Sequence, residues 1–276
     1  MNQLEYIPGI GGASVQMDGP ESFVGIAENL RSRKWEYNLG YRDIVSATRP
    51  AREVDTTFYA DFVTADQLRR VADADVMAAT PGIFVAQQEW RQRGYILASQ
   101  PNDIHYGRLT TELKIALLDG AWWRLVMKSF IAEEEEQSSD LYLDYPYDYE
   151  YDLKSIGSIP FVESSTLTPS DIRIIVYGPA ENPQITVGGN EYQVNVNVPS
   201  GGYLVIDGRE KTITLIQANG VAQNVFRYGV RGNGQGSGNY IFEPLEPGYQ
   251  EVAFTGDFSF DFGWYEEEGE PPWNQS

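Results

Sequence analysis

The second half of the chain breaks into short extended runs: "DIRIIVYGP", "PQITVGG", "EYQVNVNVP", "GGYLVIDG", "KTITLIQ", "QNVFRYG", "NYIFEPL", "QEVAFTG" and "FSFDFGWYEEE". Gly, Pro, Asn or Asp bounds each run; these residues end strands by adopting turn conformations or by withholding a backbone donor. Runs of this kind at near-regular intervals mark an antiparallel sandwich. Within "NEYQVNVNVP", residues 190–199, the alternation is strict. Tyr192, Val194, Val196 and Val198 share one side of an extended strand, and Gln193, Asn195 and Asn197 share the other. The apolar side belongs to a core. The amide side has three readings: a sugar-reading surface, a subunit contact, or wet surface.

The first half is also strand-rich but carries one helix. In "TADQLRRVADADV" Thr64 is positioned to cap the first turn, with Gln67 as its capping-box partner. Leu68, Val71, Ala72 and Val76 fall on one face at helical spacing, and "TPG" at 80–82 stops the run. Around it, "KWEYNLGYRDI", "AREVDTTFYADFV", "GIFVAQQEW", "RGYILASQ", "LTTELKIALLD" and "AWWRLVMKSFIA" alternate like strands, the last two expected to form a hairpin through Asp119-Gly120. A similar turn at Asp207-Gly208 is expected to join the strands of "VIDGREKTI". Between the halves, "EEEEQSSDLYLDYPYDYEYDL", 133–153, holds acids and no base and reads as a solvated connector. The expected fold is therefore mainly β, with two β-sandwich domains: residues 1–135 with a helix near 64–77, an acidic Tyr/Asp-rich linker at 136–158, and residues 159–276. No internal repeat relates the halves.

With 276 residues, 42% of them hydrophobic, the chain can bury a substantial core. The 18 Tyr, 12 Phe and 6 Trp favour pleated surfaces. Forty acidic residues against 20 basic ones give a net charge of −20, which disfavours phosphate-neutralising contacts with nucleic acid and binding to anionic membranes. The absence of cysteine excludes disulfides, thiolate metal sites and cysteine nucleophiles, and suits folding in a reducing cytosol. "MNQLEYIPGIGG" lacks a basic region followed by an apolar run, and no stretch approaches the ~18 apolar residues of a spanning helix, so neither signal peptide nor transmembrane segment is expected.

Catalytic constellations are missing. The lone histidine, His105, sits in "QPNDIHYGR", read as a loop, and has no second imidazole for a His-based metal site. There is no G-x-S-x-G elbow, and Ser237 in "GQGSG" is out of register for one. "GNGQGSGN", 232–239, lacks the Lys-Ser/Thr of a phosphate-binding loop and leads into a strand instead of a helix. Asp144, Asp148 and Asp152 fail the calcium-loop pattern. A glycosidase needs only two suitably separated carboxylates, but nothing selects a pair. No catalytic residue, metal or cofactor is therefore assigned. The most basic stretch, "GYRDIVSATRPAR", brings Arg42, Arg49 and Arg52 close together, which reads either as guanidinium groups meeting acidic patches on a neighbouring subunit or as an ordinary solvated edge. A lectin-like surface would join Trp264 and Tyr265 to the Gln193, Asn195 and Asn197 amides.

These pieces carry a family resemblance. "WEYNLGYRDIVSATRPAREV", the "ADQLRRVADADV" helix, "TPG", "EWRQRGYI" and "LLDGAWWR" resemble, in that order, the N-terminal belt domain of siphophage distal tail proteins. "DYPYDY", "VYGPAENPQITVGGNEYQVNVNVPSGGYLVIDGREKTITL", "NVF", "GSGNYIFEPLEPG" and "FSFDFGWYEEEGEPPW" resemble their C-terminal galectin-like domain. The likeness covers nearly the whole chain. It implies a non-enzymatic structural protein of the virion tail tip of a phage or prophage, made in the host cytoplasm. N-terminal domains of this family close into a hexameric ring that continues the tail tube and leaves a channel for DNA, which passes without specific binding. The galectin-like domains project outward, and the ring meets the tail-associated tip protein and receptor-binding proteins. In this frame Arg42, Arg49 and Arg52 are expected at a subunit interface. Gln193, Asn195, Asn197 and Trp264 are expected on a partner-docking face or, in the alternative of a module attaching the tip to cell-wall glycans, on a sugar site. "Galectin-like" describes a fold and not an activity.

Overall fold

The structure, a computed structural model, describes residues 4–25, 27–132 and 160–271. Its contacts form two compact units, Met1–Arg124 with Glu267–Ser276, and Leu125–Glu266. The acidic segment at 133–153 and the linker expected at 136–158 lie outside the described residues.

The first unit contains β1 (Leu4–Ile7), β2 (Val15–Gln16), β3 (Ser22–Val24), α1 (Ala27–Arg31), β4 (Glu36–Leu39), β5 (Ile44–Thr48), β6 (Arg52–Asp61), α2 (Phe62–Ala78), β7 (Gly82–Ala86), β8 (Trp90–His105), β9 (Arg108–Leu117) and the start of β10 (Trp122–Phe130). One layer follows β10–β8–β7–β1–β2 and the other β8–β9–β6–β3, all antiparallel. β8 serves both. Its residues Trp90 to Gly94 pair with β7, and from Gly94 to His105 it pairs with β9, with irregularities at Ile96/Ala98 and Pro101/Asp103. Such bulges let one strand bend from one sheet into the next. Between the layers lie Tyr6, Met17, Phe58, Phe84, Leu68, Ile115, Leu117 and Trp122. Each large apolar side chain buried here contributes about 1.5–3 kcal/mol, so this core is the main source of the unit's stability.

The long helix α2 is as expected, but its start and its buried face differ. Asp61, not Thr64, is the N-cap: its backbone is extended and its carboxylate accepts from the Thr64 backbone N–H at 2.9 Å. Hydrogen bonding from the Thr64 side chain, and then from its backbone N–H, holds the Asp61 carboxyl below its ordinary pKa. Leu68 and Ala72 are buried and Val71 is half-buried, whereas Val76 is exposed. The inward position at the next turn belongs to Asp75, which accepts from the Tyr6 hydroxyl at 2.6 Å and the Ile10 backbone N–H at 2.9 Å. A fully buried carboxylate is tolerated there because these donors replace water. They also tie the N-terminal strand to the helix. Gly82, which follows the "TP" stop, admits Tyr6, whose hydroxyl would lie 2.3 Å from any added Cβ.

The expected hairpin between β9 and β10 does not form: β9 pairs with β6 and β8, and β10 pairs with β8 through Trp123 and Arg91. Asp119 points inward and accepts from Arg93 at its backbone N (2.9 Å), Nε (3.0 Å) and Nη2 (2.8 Å), fastening the connection to β8. Gly120 is needed for closeness, since a Cβ there would sit 2.0 Å from the Arg49 carbonyl oxygen.

The second unit contains the rest of β10, then β11 (Phe161–Ser164), β12 (Ile172–Tyr177), β13 (Ala180–Glu181), β14 (Gln184–Val187), β15 (Asn190–Gln193), β16 (Asn197–Val198), β17 (Tyr203–Asp207), β18 (Thr212–Ile216), β19 (Ala222–Asn224), β20 (Gly248–Phe254) and most of β21 (Phe260–Glu268). One sheet runs β19–β18–β17–β12–β21 and faces a second, β11–β20–β14–β15, across a core that includes Val162, Ile174, Ile185, Leu204, Phe260 and Phe262. This is an antiparallel sandwich, as expected. Asp207 closes the β17–β18 turn: Oδ1 accepts from the backbone N–H groups of Arg209 and Glu210, both at 3.0 Å, and Oδ2 accepts from the Tyr265 hydroxyl at 2.8 Å.

Two expectations in this unit are corrected. "NEYQVNVNVP" is not one strand: β15 pairs with β14 and β16 with β13, and the Val196 N–H bonds the Val194 carbonyl at 2.9 Å in a tight kink between them. The alternation survives the kink, with Tyr192, Val194 and Val198 buried and Val196 packed against the core. Trp264 is 5% exposed within that core, on the same side of β21 as Phe260 and Phe262. It is therefore no surface platform.

Four tyrosines make stability alkali-sensitive. A 2.6 Å hydrogen bond to Asp261, with burial, pushes Tyr177 up to about 12, and burial pushes Tyr265 up to about 12. Burial also raises Tyr6, aided by Asp75, and Tyr192. Folded values above the unfolded value of about 10 mean that this stabilisation is complete below pH ~10 and is lost as pH rises through the folded values. Urea unfolding midpoints are expected to fall steadily from about pH 9.5 to about pH 11.5. Tyr177→Phe should flatten part of that slope; a pH-independent midpoint would contradict the assignment.

Candidate assembly surface

β4 and β5 form a two-stranded ribbon that, among the described residues, pairs only with itself, and every residue of both strands is exposed. Its turn is closed by the Gly40 N–H donating to the Asp43 carbonyl at 2.8 Å, and the Asn38 amide donates to Ser46 Oγ at 2.9 Å. Leu39, Tyr41, Ile44 and Val45 stand in solvent, Tyr41 at 92% exposure. A lone ribbon is marginal in water, and its two open edges offer unpaired backbone donors and acceptors to another chain. The exposed apolar side chains point the same way.

The three arginines expected at an interface have different surroundings. Arg42 lies at the ribbon's turn, exposed, 5.2 Å from the Tyr41 ring centroid. Arg49 is engaged within the unit, 3.1 Å from Glu267 and 5.1 Å from the Trp35 ring centroid. Arg52 turns inward: Nη1 donates to the Asn29 carbonyl (3.2 Å) and Ser32 Oγ (2.7 Å), and Nη2 to the Leu30 carbonyl (3.0 Å). It caps the carbonyl end of α1, and burial lowers its pKa. Only Arg42 keeps the geometry of a group that reaches for a neighbour.

A second projecting element is the β8–β9 hairpin, exposed from Leu97 to His105. Tyr106 and Gly107, both at positive φ, make its two-residue turn, so His105 is the last strand residue before a tight turn and not part of a loop. The outer face of the neighbouring β6–β9 pair is acidic, with Glu53, Asp55 and Glu112 exposed and Lys114 3.8 Å from Glu53 and 3.9 Å from Asp55.

In the second unit Gln193 stands opposite Gln184 on the outer face of its sheet, while Asn195 and Asn197 are exposed beyond the kink. The glycine-rich loop runs through Gly232, Gly234, Gly236 and Gly238, all at positive φ, and Ser237 Oγ donates to Asn239 at 3.0 Å. Among the described residues no group of three or more His, Asp or Glu is placed to hold a metal ion, and no helix is long and apolar enough to cross a membrane.

The exposed ribbon was not legible beforehand. "WEYNL" alternates apolar and polar residues as a half-buried strand does, and alternation cannot say whether the apolar side has a partner in the same chain.

Solved structures share this architecture along nearly the whole chain. A chain of the phage P2 baseplate in its activated conformation with Ca matches at TM-score 0.64 and 10% identity, covering 98% of this chain and 100% of that one. The baseplate of the same phage, activated with Sr, matches at 0.61 and 11% identity with the same coverage. The SPP1 Dit (gp 19.1) protein, of a hub adsorption apparatus, matches at 0.49 and 11% identity over 95% and 99% of the two chains. No protein-family model matches the sequence, and no curated protein does. At such identities the likeness is one of fold.

Proposed function

We propose that this chain is a structural distal tail protein, the baseplate hub of a siphophage or prophage. Six copies close into a ring that joins the tail tube to the tail tip and leaves a channel for DNA. The observation that carries this reading is the end-to-end fold match with a phage baseplate chain. Ring closure is assigned to the N-terminal part, residues 1–135, and docking of tip or receptor-binding proteins to residues 159–276, with the acidic segment 136–158 as connector. A ring of identical subunits uses a heterologous interface, which gives the unpaired β4–β5 ribbon a surface to cover on the next copy. Arg42, at its turn, would meet carboxylates there. The acidic outer face of β6 and β9 suits a channel wall, because like charge opposes adhesion of the passing genome. The protein has no catalytic step in this role.

Electron microscopy of the purified chain and of the virion tests the proposal. Six-fold rings at the distal end of the tail, labelled by an antibody to this chain, are expected. A tail whose ring is built from another polypeptide would overturn it.

A further inference from the structure

On the outer face of β11 and β20 two aromatic and two acidic side chains alternate in adjacent register: Phe161 is opposite Glu251, and Glu163 is opposite Tyr249. Along one diagonal the rings stack, with centroids 4.6 Å and planes 24° apart. Lys128 Nζ lies 4.0 Å from the Phe161 centroid. Phe161 thus has a ring and an ammonium group as neighbours, whereas Tyr249 is 53% exposed. Stacking holds the phenol in orientation before any ligand arrives, so little freedom remains to be lost on binding. No ion pair joins Glu163 or Glu251 to a cation among the described residues, leaving both carboxylates as acceptors beside the ring.

We propose that this face binds uncharged polysaccharide, with one pyranose ring stacked on Tyr249 and its hydroxyls donating to Glu163 and Glu251. The composition selects that occupant. A protein interface depletes carboxylates at its centre and gathers apolar area, and this face does the reverse outside its two rings. A hydroxyl-rich ring with an apolar C–H side matches an exposed aromatic flanked by acceptors. Anionic glycans and polyphosphates are disfavoured by the two carboxylates and by a net charge of −20. The inference does not depend on ring formation and places the sugar contact away from the buried Trp264.

The test titrates the full chain with oligomers of glucose, galactose, rhamnose and N-acetylglucosamine, and with poly(glycerol phosphate), followed by calorimetry and NMR. At least one neutral oligomer is expected to bind at sub-millimolar concentration. Tyr249→Ala should weaken it at least about tenfold and the Glu163→Gln, Glu251→Gln double variant several-fold, while Tyr249→Phe retains it. Unchanged circular dichroism confirms that the variants fold, and unchanged rings by microscopy separate this result from the hub reading. Absence of binding to every neutral oligomer at millimolar concentration would overturn the proposal. So would preference for poly(glycerol phosphate), or undiminished binding by Tyr249→Ala.

Discussion

Asp207→Ala is expected to lower the unfolding free energy by roughly 3 kcal/mol, among the larger effects available to a single side chain in this protein. The carboxylate is nearly buried and works on several groups at once. Oδ1 accepts from the Arg209 and Glu210 backbone N–H groups, Oδ2 accepts from the Tyr265 hydroxyl, and Arg173 Nη1 stands 3.5 Å from Oδ2. Alanine removes the acceptor of two turn donors and of the buried phenol, and desolvated donors without that acceptor are what make such changes costly. Asp207→Asn should cost about a third as much: its carbonyl still serves the turn, and its amide can donate to the Tyr265 oxygen. Urea denaturation followed by tryptophan fluorescence gives both values. Equal losses for the two variants would mean that charge, not hydrogen-bond acceptance, is what the site requires.

The largest effect on assembly is expected from the ribbon. Leu39→Glu combined with Val45→Glu should abolish rings while leaving the protomer intact. Both side chains are exposed, so the folded monomer should change by no more than about 0.5 kcal/mol per site, the usual range for surface substitutions. In a closed interface the same two residues would bury carboxylates without partners, at a cost repeated at all of the ring's contacts. Analytical ultracentrifugation at about 10 μM, with thermal melting as the control, separates the outcomes. Rings that persist would remove the ribbon from the interface. Monomers whose melting temperature has collapsed would show that it serves the fold.

Much of the architecture could be read from the residues because sandwich strands advertise themselves through alternation and punctuation. The β17–β18 turn at Asp207-Gly208 is local and was legible. The equally promising Asp119-Gly120 was misleading, because β8 lies between β9 and β10, and a contact so distant in sequence leaves no local trace. The helix start was ambiguous for a physical reason: Asp61 and Thr64 are both good caps, and Phe62 and Val63 look like a continuation of the strand that precedes them. Trp264 could have been placed correctly, since it continues the even-numbered series Phe258, Phe260 and Phe262, all buried. Of the sites, Gln193 and the exposed Asn195 and Asn197 faced outward as their alternation required. Arg49 and Arg52 illustrate the opposite case, because a basic cluster in sequence says nothing of how many of its members the fold consumes internally.

The continuity of β8 bears on how the first unit comes apart. Because one sixteen-residue strand is shared by both layers, neither can peel away while the other keeps its full ladder, so the unit should lack a separable foldon. Native-state deuterium uptake would then show the amides of Gly94 and Tyr95, where the pairing passes from one layer to the next, exchanging only through global opening.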